Sequence, residues 1–286
     1  LILVDFNNIS VAAVLATIGG QYGFKDENEA TELDFLRHLI LTSLLSYRRR
    51  YSQDGKMFLC CDAANTWRKD VFPYYKVRRL NKPESTFDWK KFYDNMEILK
   101  AEISEHMPYH VIKVPRAEGD DCVAVLAKEN ALLERVVVVS NDKDFGQLKK
   151  YPNLVVYRPI KNEEVKIDDA SLYLKEMIIC GDRIDDVPNI LSDDDVFTIK
   201  GKRQKSIMKA KLPNYLKSDY ETFAEKDKIE RNLNMIDFDR IPDEISDKIK
   251  ECYKLSLDTK KSNRQKIFNY FNQYRLRKLV ESLEEF

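Results

Sequence analysis

The feature that most limits the fold of this chain is how its apolar runs end. VVVVSNDKDFGQL, from Val136 to Leu148, sets four valines ahead of two carboxylates, Asp142 and Asp144, split by Lys143. So contiguous an apolar run reads as a strand buried on both faces, as in a parallel sheet. Acids directly after such a strand lie at its carboxyl end, where open α/β sheets bind their ligands. Taken alone, the run is equally well explained by Asn141 or Asp142 capping the next helix.

Recurrence weakens the capping explanation. LILVDFNN puts Asp5 after Leu1 to Val4, and MFLCCDAAN puts Asp62 after Met57 to Cys61. HVIKV, at 110–114, leads into PRAEGDD with Glu118, Asp120 and Asp121. Acids gathered at one rim of a sheet repel and push one another towards protonation. A bound cation would reverse that penalty and keep them ionised. Further on, GDRIDD (181–186) adds Asp182 and Asp185 at i, i+3, one face of a helical turn, although a Gly-terminated helix entering an Asp-rich loop gives the same string. Neighbouring SDDD (192–195) fits an N-cap serine with acids in the first helical turn, so Asp193, Asp194 and Asp195 stand outside the candidate site.

The remaining nine acids have a narrow chemistry. Carboxylates without His or Cys suit hard cations, Mg²⁺ with Mn²⁺ as substitute. Nine acids exceed the needs of one Mg²⁺, which keeps several waters; two ions roughly 3.5–4 Å apart would use them, one activating water and one stabilising a leaving oxygen.

Strand patterns at 1–5, 56–62, 110–114 and 135–140 alternate with helical periodicity at 33–50 and 121–134. NLVVYRP (153–159) reads as a further strand, and ASLYLKEMIICGD (170–182) as a helix stopped by Gly181. The predicted fold class is therefore α/β, a central mostly parallel sheet flanked by helices. Residues 65–105 are too long and too charged for a simple crossover and form a helical insertion; 191–286 show helical patterns without a strand. The expected division is an α/β domain over 1–190 and a helical C-terminal region over 191–286.

Lys plus Arg and Asp plus Glu each number 48, so net charge points to no partner, but the bases cluster apart from the acids. WRKDVFPYYKVRRLNKPESTFDWKKF (67–92) interleaves aromatics with cations, as a groove for single-stranded nucleic acid does. Aromatics packed on the sheet beneath a solvated basic face are the competing explanation. KGKRQKSIMKAK (200–211) is a second basic stretch, suited to backbone contacts without sequence preference, or else a solvated face. The five cysteines form no C-x-x-C pair and read as small buried hydrophobes of a reducing compartment. His38, His106 and His110 lack metal-ligand spacing with them, which argues against zinc. No run reaches a membrane-spanning length, so a soluble cytoplasmic monomer is expected. The first residue is leucine, from which we expect further residues upstream.

The series LILVDFNN, FLCCDAAN, AEGDDCVAVLA, VSNDKDFGQL and GDRIDD resembles the 5′-nuclease (flap endonuclease) family, and within it the bacteriophage members that remove RNA primers. The likeness extends to WRKDVFPYYKVRR (67–79) and NLNMIDFDRIP (232–242). It implies Mg²⁺-dependent hydrolysis of RNA–DNA and DNA–DNA duplexes by ribonuclease H, 5′ to 3′ exonuclease and flap endonuclease activities, in phage DNA replication. By the same resemblance, Asp5, Asp62, Asp120 and Asp142 surround a first metal, and Glu118, Asp144, Asp182 and Asp185 a second. Asp121 matches a motif acid and counts with the metal set. Arg68, Tyr75, Lys76 and Arg79 match the family's gateway over the site, with Lys76 and Arg79 acting in catalysis; Lys200, Lys202, Arg203 and Lys205 extend the nucleic-acid surface. Flap or nicked duplex DNA and RNA–DNA hybrid are the implied substrates, a sliding clamp and a single-strand-binding protein the implied partners. The family's Gly-rich turn after the last acids is replaced by VPNILSDDDVFTIKGKRQKS, whose one glycine is Gly201. A smaller metal-dependent RNase on a related sheet and a non-catalytic binding scaffold are the alternatives; the long insertion and the Asp182/Asp185 pair speak against the first, the full set of acids against the second.

Overall fold

The computed structural model describes residues 1–18, 29–79, 87–259 and 263–286. Positions 80–86 of the expected insertion therefore lie outside the described residues. Its centre is a six-stranded sheet: β1 (Ile2–Asp5), β2 (Met57–Cys61), β3 (His110–Lys113), β4 (Val136–Val139), β5 (Leu154–Arg158) and β6 (Glu163–Glu164). In space the order is β3-β2-β1-β4-β5-β6, with the first five parallel and β6 antiparallel to β5. The order reverses between β1 and β4, the place where open α/β sheets bind ligands. The mostly parallel α/β class expected from the strand pattern is what the chain adopts.

The helices are α1 (Phe6–Ile18), α2 (Glu29–Arg50), α3 (Arg68–Val71), α4 (Trp89–His106), α5 (Gly119–Asn130), α6 (Ala170–Cys180), α7 (Leu212–Lys217), α8 (Lys226–Ile236), α9 (Asp243–Asp258), α10 (Arg264–Gln273) and α11 (Arg277–Val280). Alternation along each strand builds two cores. Leu3, Phe58, Cys60 and Val138 pack with α5 and α9 on one face, while Ile2, Val4, Leu59 and Val139 pack with α1, α2, α4 and α10 on the other. Both faces being covered explains why the strands read as continuous apolar runs.

Two expectations needed correction. FNNISVAAVLATI, not anticipated as an element, is α1; it is apolar on nearly every side and so carries no amphipathic stripe to read. SDDD does not start a helix: residues 193–199 form turns, and the Ser192 hydroxyl accepts from the Lys205 amide at 2.8 Å. The segment is held by longer-range bonds instead. Asn189 bonds the side chain of Gln204 and the carbonyl of Lys205, and buried Arg231 of α8 donates to the carbonyls of Pro188, Asn189 and Ser192. No described helix is long and apolar enough to cross a membrane. All five cysteines are free, and Cys60, Cys61 and Cys122 are buried as expected, whereas Cys180 is exposed.

Candidate active site

The carboxyl ends of β1, β2 and β4 and the start of α5 bring their acids to one rim. Asp5 is buried at the end of β1; its Oδ2 accepts from Ser140 Oγ at 2.7 Å. Burial, with the charges of Asp62 and Asp142, pushes its carboxyl up to about 7 against that hydrogen bond. Asp62 is tied down on both oxygens, by the Gly119 amide at 2.7 Å and by Asn7 Nδ2 at 2.9 Å. A Cβ on Gly119 would stand 3.1 Å from Asp62 Oδ1 and 3.1 Å from the Cys60 carbonyl, so the close approach of α5 to the rim requires glycine here. Burial and the charges of Asp5 and Asp142 raise the Asp120 carboxyl well above the ordinary range.

Asp142 follows β4, and its Oδ1 accepts from the Asp144 amide at 2.8 Å. Both carboxyls are raised, by burial first and then by neighbouring acids: Asp185 and Asp182 for Asp142, Asp142 and Asp182 for Asp144. Asp144 Oδ1 is buried without a hydrogen-bond partner among the described residues. Across the rim, Asp182 accepts from the Ile184 amide at 2.7 Å and pairs with Lys143 at 3.0 Å.

Glu118 behaves oppositely. Burial opposes its ionisation, but Lys76 at 2.5 Å and Arg68 at 3.1 Å outweigh it and hold the carboxyl at about 2. Lys76 also lies 3.5 Å from Asp185, and Tyr75 donates to both Glu118 and Asp185, at 2.9 and 3.1 Å. Arg79, half exposed, pairs with Asp185 at 2.7 Å.

Several expected roles do not fit these positions. Arg68 is buried between Glu118 and Asp121 and donates to the Met235 carbonyl, which takes it off any nucleic-acid surface. Tyr75 is 3 % exposed with its hydroxyl engaged, so it presents no ring for a base. Asp121 turns from the rim to complete the capping box of α5, accepting from the Glu118 amide and Trp67 Nε1 and pairing with Arg68 at 2.8 Å. Lys202 is claimed by Asp193 and Asp195. Trp67 and Phe72 lie in the core, as the competing explanation of the aromatic segment had it. Lys200, Arg203 and Lys205 are exposed as expected.

Among the described residues no three His, Cys, Asp or Glu side chains are grouped tightly enough to hold an ion as they stand. The donor set nevertheless suits a hard divalent cation: it is carboxylate only, Asp144 Oδ1 lacks a partner among the described residues, and burial together with mutual repulsion raises four of the acids.

The family model for the 5′-3′ exonuclease N-terminal, resolvase-like domain matches residues 3–177, and that for the C-terminal part of T4 RNase H matches 169–286. The chain belongs to the 5′-3′ exonuclease family. It is 34 % identical to the ribonuclease H of Enterobacteria phage T4 over 300 residues, covering 99 % of this chain and 95 % of that protein. Flap endonuclease Xni of Shewanella pealeana is 28 % identical over 137 residues, 44 % of this chain and 50 % of that one. In fold the chain is similar to the bacteriophage T5 D15 protein co-crystallised with metal ions, with TM-score 0.62, 16 % identity, and 90 % and 98 % of the two chains covered. Zinc-bound T5 5′-exonuclease aligns with TM-score 0.59 at 16 % identity over the same shares.

As a 5′-3′ exonuclease family member the protein is a nuclease, and its rim contains residues that sequence reasoning passed over. Asn7 and Ser140 orient Asp62 and Asp5, yet each sits inside a motif already quoted for its acids. Tyr93 of α4 is 44 % exposed, stacks on Trp89 at 6.0 Å, and has its hydroxyl raised by burial and by the charge of Asp62. The signal that marks it is its place one turn beyond the N-cap Asp88, next to the basic segment.

Proposed function

We propose that the protein is a divalent-metal-dependent 5′-nuclease that hydrolyses phosphodiesters of RNA–DNA and DNA–DNA duplexes from a 5′ end or at a flap. The observation that carries this reading is the convergence of Asp5, Asp62, Asp120, Asp142 and Asp144 at the strand-order reversal, with most of these carboxyls pushed up by burial and by one another. When bound, two Mg²⁺ ions, or Mn²⁺ in their place, supply Lewis acidity towards a phosphodiester and offset the charge that grows on it. Asp5, Asp62, Asp120 and Asp142 would hold the first, and Glu118, Asp144, Asp182 and Asp185 would surround the second, partly through waters.

Lys76, partly buried against Glu118, keeps that acid ionised and sets its orientation. Arg79 is the cation able to leave Asp185 for a phosphate, since half its side chain is exposed. Exposed Tyr93 supplies the stacking face that buried Tyr75 does not. Lys200, Arg203 and Lys205 take duplex backbone in place of the family's Gly-rich turn. The T4 relative's name supports RNA–DNA hybrid as a substrate, the flap endonuclease relative a flap. A phage replication role in the host cytoplasm, with a sliding clamp and a single-strand-binding protein as partners, completes the reading.

The test is digestion of a 5′-labelled flap and of a nicked RNA–DNA duplex with Mg²⁺, with Mn²⁺ and with chelator. Cleavage should vanish with chelator and return with either ion. Full cleavage in excess chelator would overturn the reading.

A further inference from the structure

Two segments distant in sequence, 75–79 and 181–187, are sewn together beside the rim. The Lys76 amide donates to the Asp185 carbonyl at 2.9 Å, and the Arg78 amide donates to Asp186 Oδ2 at 2.8 Å. Arg78 Nε pairs with the other oxygen of Asp186, and its Nη2 donates to the Arg183 carbonyl. The same guanidinium lies 4.6 Å from the ring of Phe197. Asp186 is 1 % exposed, and every side-chain bond described for it comes from Arg78. A carboxylate so buried is tolerated only with its partner in place. Lys76 and Asp186 both adopt left-handed backbone, at φ 54° and 60°. Non-glycine residues keep such conformations only where their surroundings over-determine them.

We propose that Arg78 and Asp186 form a positioning pair, which fixes the loop bearing Asp182 and Asp185 in register with the segment bearing Lys76 and Arg79. Neither residue belongs to the carboxylate rim. Their effect passes through Asp185, whose carbonyl is held by the Lys76 amide and whose carboxylate is held by Tyr75 and Arg79. Seating of the 75–79 segment thereby sets the geometry of the second carboxylate set. The inference rests on the reading of Asp185 as a member of that set.

Arg78→Ala, Arg78→Lys, Asp186→Asn and Asp185→Asn are compared with the parent in two measurements. The first is amide hydrogen exchange without metal or nucleic acid. Arg78→Ala and Asp186→Asn should speed exchange at Ile184 and Val187, whose amides bond to Asp182, and leave β1 and β4 unchanged; Arg78→Lys should recover part of the protection. The second is the Mg²⁺ concentration that half-saturates flap cleavage, which Arg78→Ala should raise about tenfold, within the range of coupling between linked sites. A rise in KM alone, with the Mg²⁺ requirement unmoved, would overturn the pairing while an altered requirement in Asp185→Asn upheld the Asp185 reading. An unmoved requirement in Asp185→Asn overturns that reading, and unchanged exchange in Arg78→Ala then overturns the pairing too. Should Arg78→Ala fail to fold, Asp186→Asn carries both measurements, since it keeps an acceptor for the Arg78 amide.

Discussion

Asp142 and Gly119 show how tightly single residues are constrained at this rim. Asp142→Asn keeps an oxygen for the Asp144 amide while removing a charge that burial, Asp185 and Asp182 already disfavour. Cleavage should fall by orders of magnitude, whereas a circular dichroism melt without metal should stay level or rise; a sharp fall would make the residue a structural cap instead. Gly119→Ala places a methyl against the Cys60 carbonyl, which cannot move without shifting β2. We expect a destabilisation of about 1–3 kcal/mol in urea melts, together with reduced cleavage from a displaced Asp62. Arg68→Ala breaks a buried ion pair and should cost about 3–5 kcal/mol, measured the same way, with duplex affinity at low temperature unchanged. Asp5, Asp62 and Asp142 were legible because each ends its strand or follows it within three residues, a local signal. Their partners were not: Ser140 is 135 residues from Asp5, and Lys76 is 42 from Glu118. A basic residue that pairs with an acid of its own chain looks in sequence like one that awaits a phosphate, which is why Arg68 and Lys202 were misplaced.

At the scale of elements, β1 to β5 and the helices α2, α5 and α6 were readable from their sequence patterns, whereas α4 was expected only as part of a helical insertion. The 192–205 segment was not, because its shape follows from Asn189, Ser192 and Arg231, brought together only by the packing of α8. The segment joining α3 to α4 separates two functions that sequence had merged. Lys76 is locked to Glu118, so Lys76→Ala should weaken metal dependence as well as cleavage. Tyr93→Ala touches no acid and should leave the metal requirement alone, whereas Arg79→Ala releases Asp185 and should shift it. Losing Tyr93 should cost about 1–3 kcal/mol of binding per stacked base, read by fluorescence anisotropy, and flaps should suffer more than nicked duplexes because only a flap has single strand to stack. Equal loss on both substrates would return Tyr93 to the role of a surface aromatic.

Over the whole molecule, 48 basic and 48 acidic side chains cancel, so net charge alone does not draw nucleic acid to this protein. Affinity must come from cations that the fold leaves without acids, and ion pairing removes many of them. Lys202, Lys228 and Arg231 are all spent on Asp193, Asp194 and Asp195, which fixes the 192–205 loop on α8. Lys200, Arg203 and Lys205 then stand exposed on a braced support, so their geometry survives removal of any one of them. Replacing the three with alanine should weaken duplex binding and reduce the log–log salt slope by about 0.9 for each phosphate no longer neutralised. Flap and nicked substrates should lose affinity equally, because both present the same duplex, and the Mg²⁺ requirement should not change. Arg231→Met tests the support instead of the cations it carries. It strips the bonds to Pro188, Asn189 and Ser192, so binding should fall although every exposed cation remains. A salt titration that leaves the slope of the triple variant at the parent value would move the duplex away from this loop.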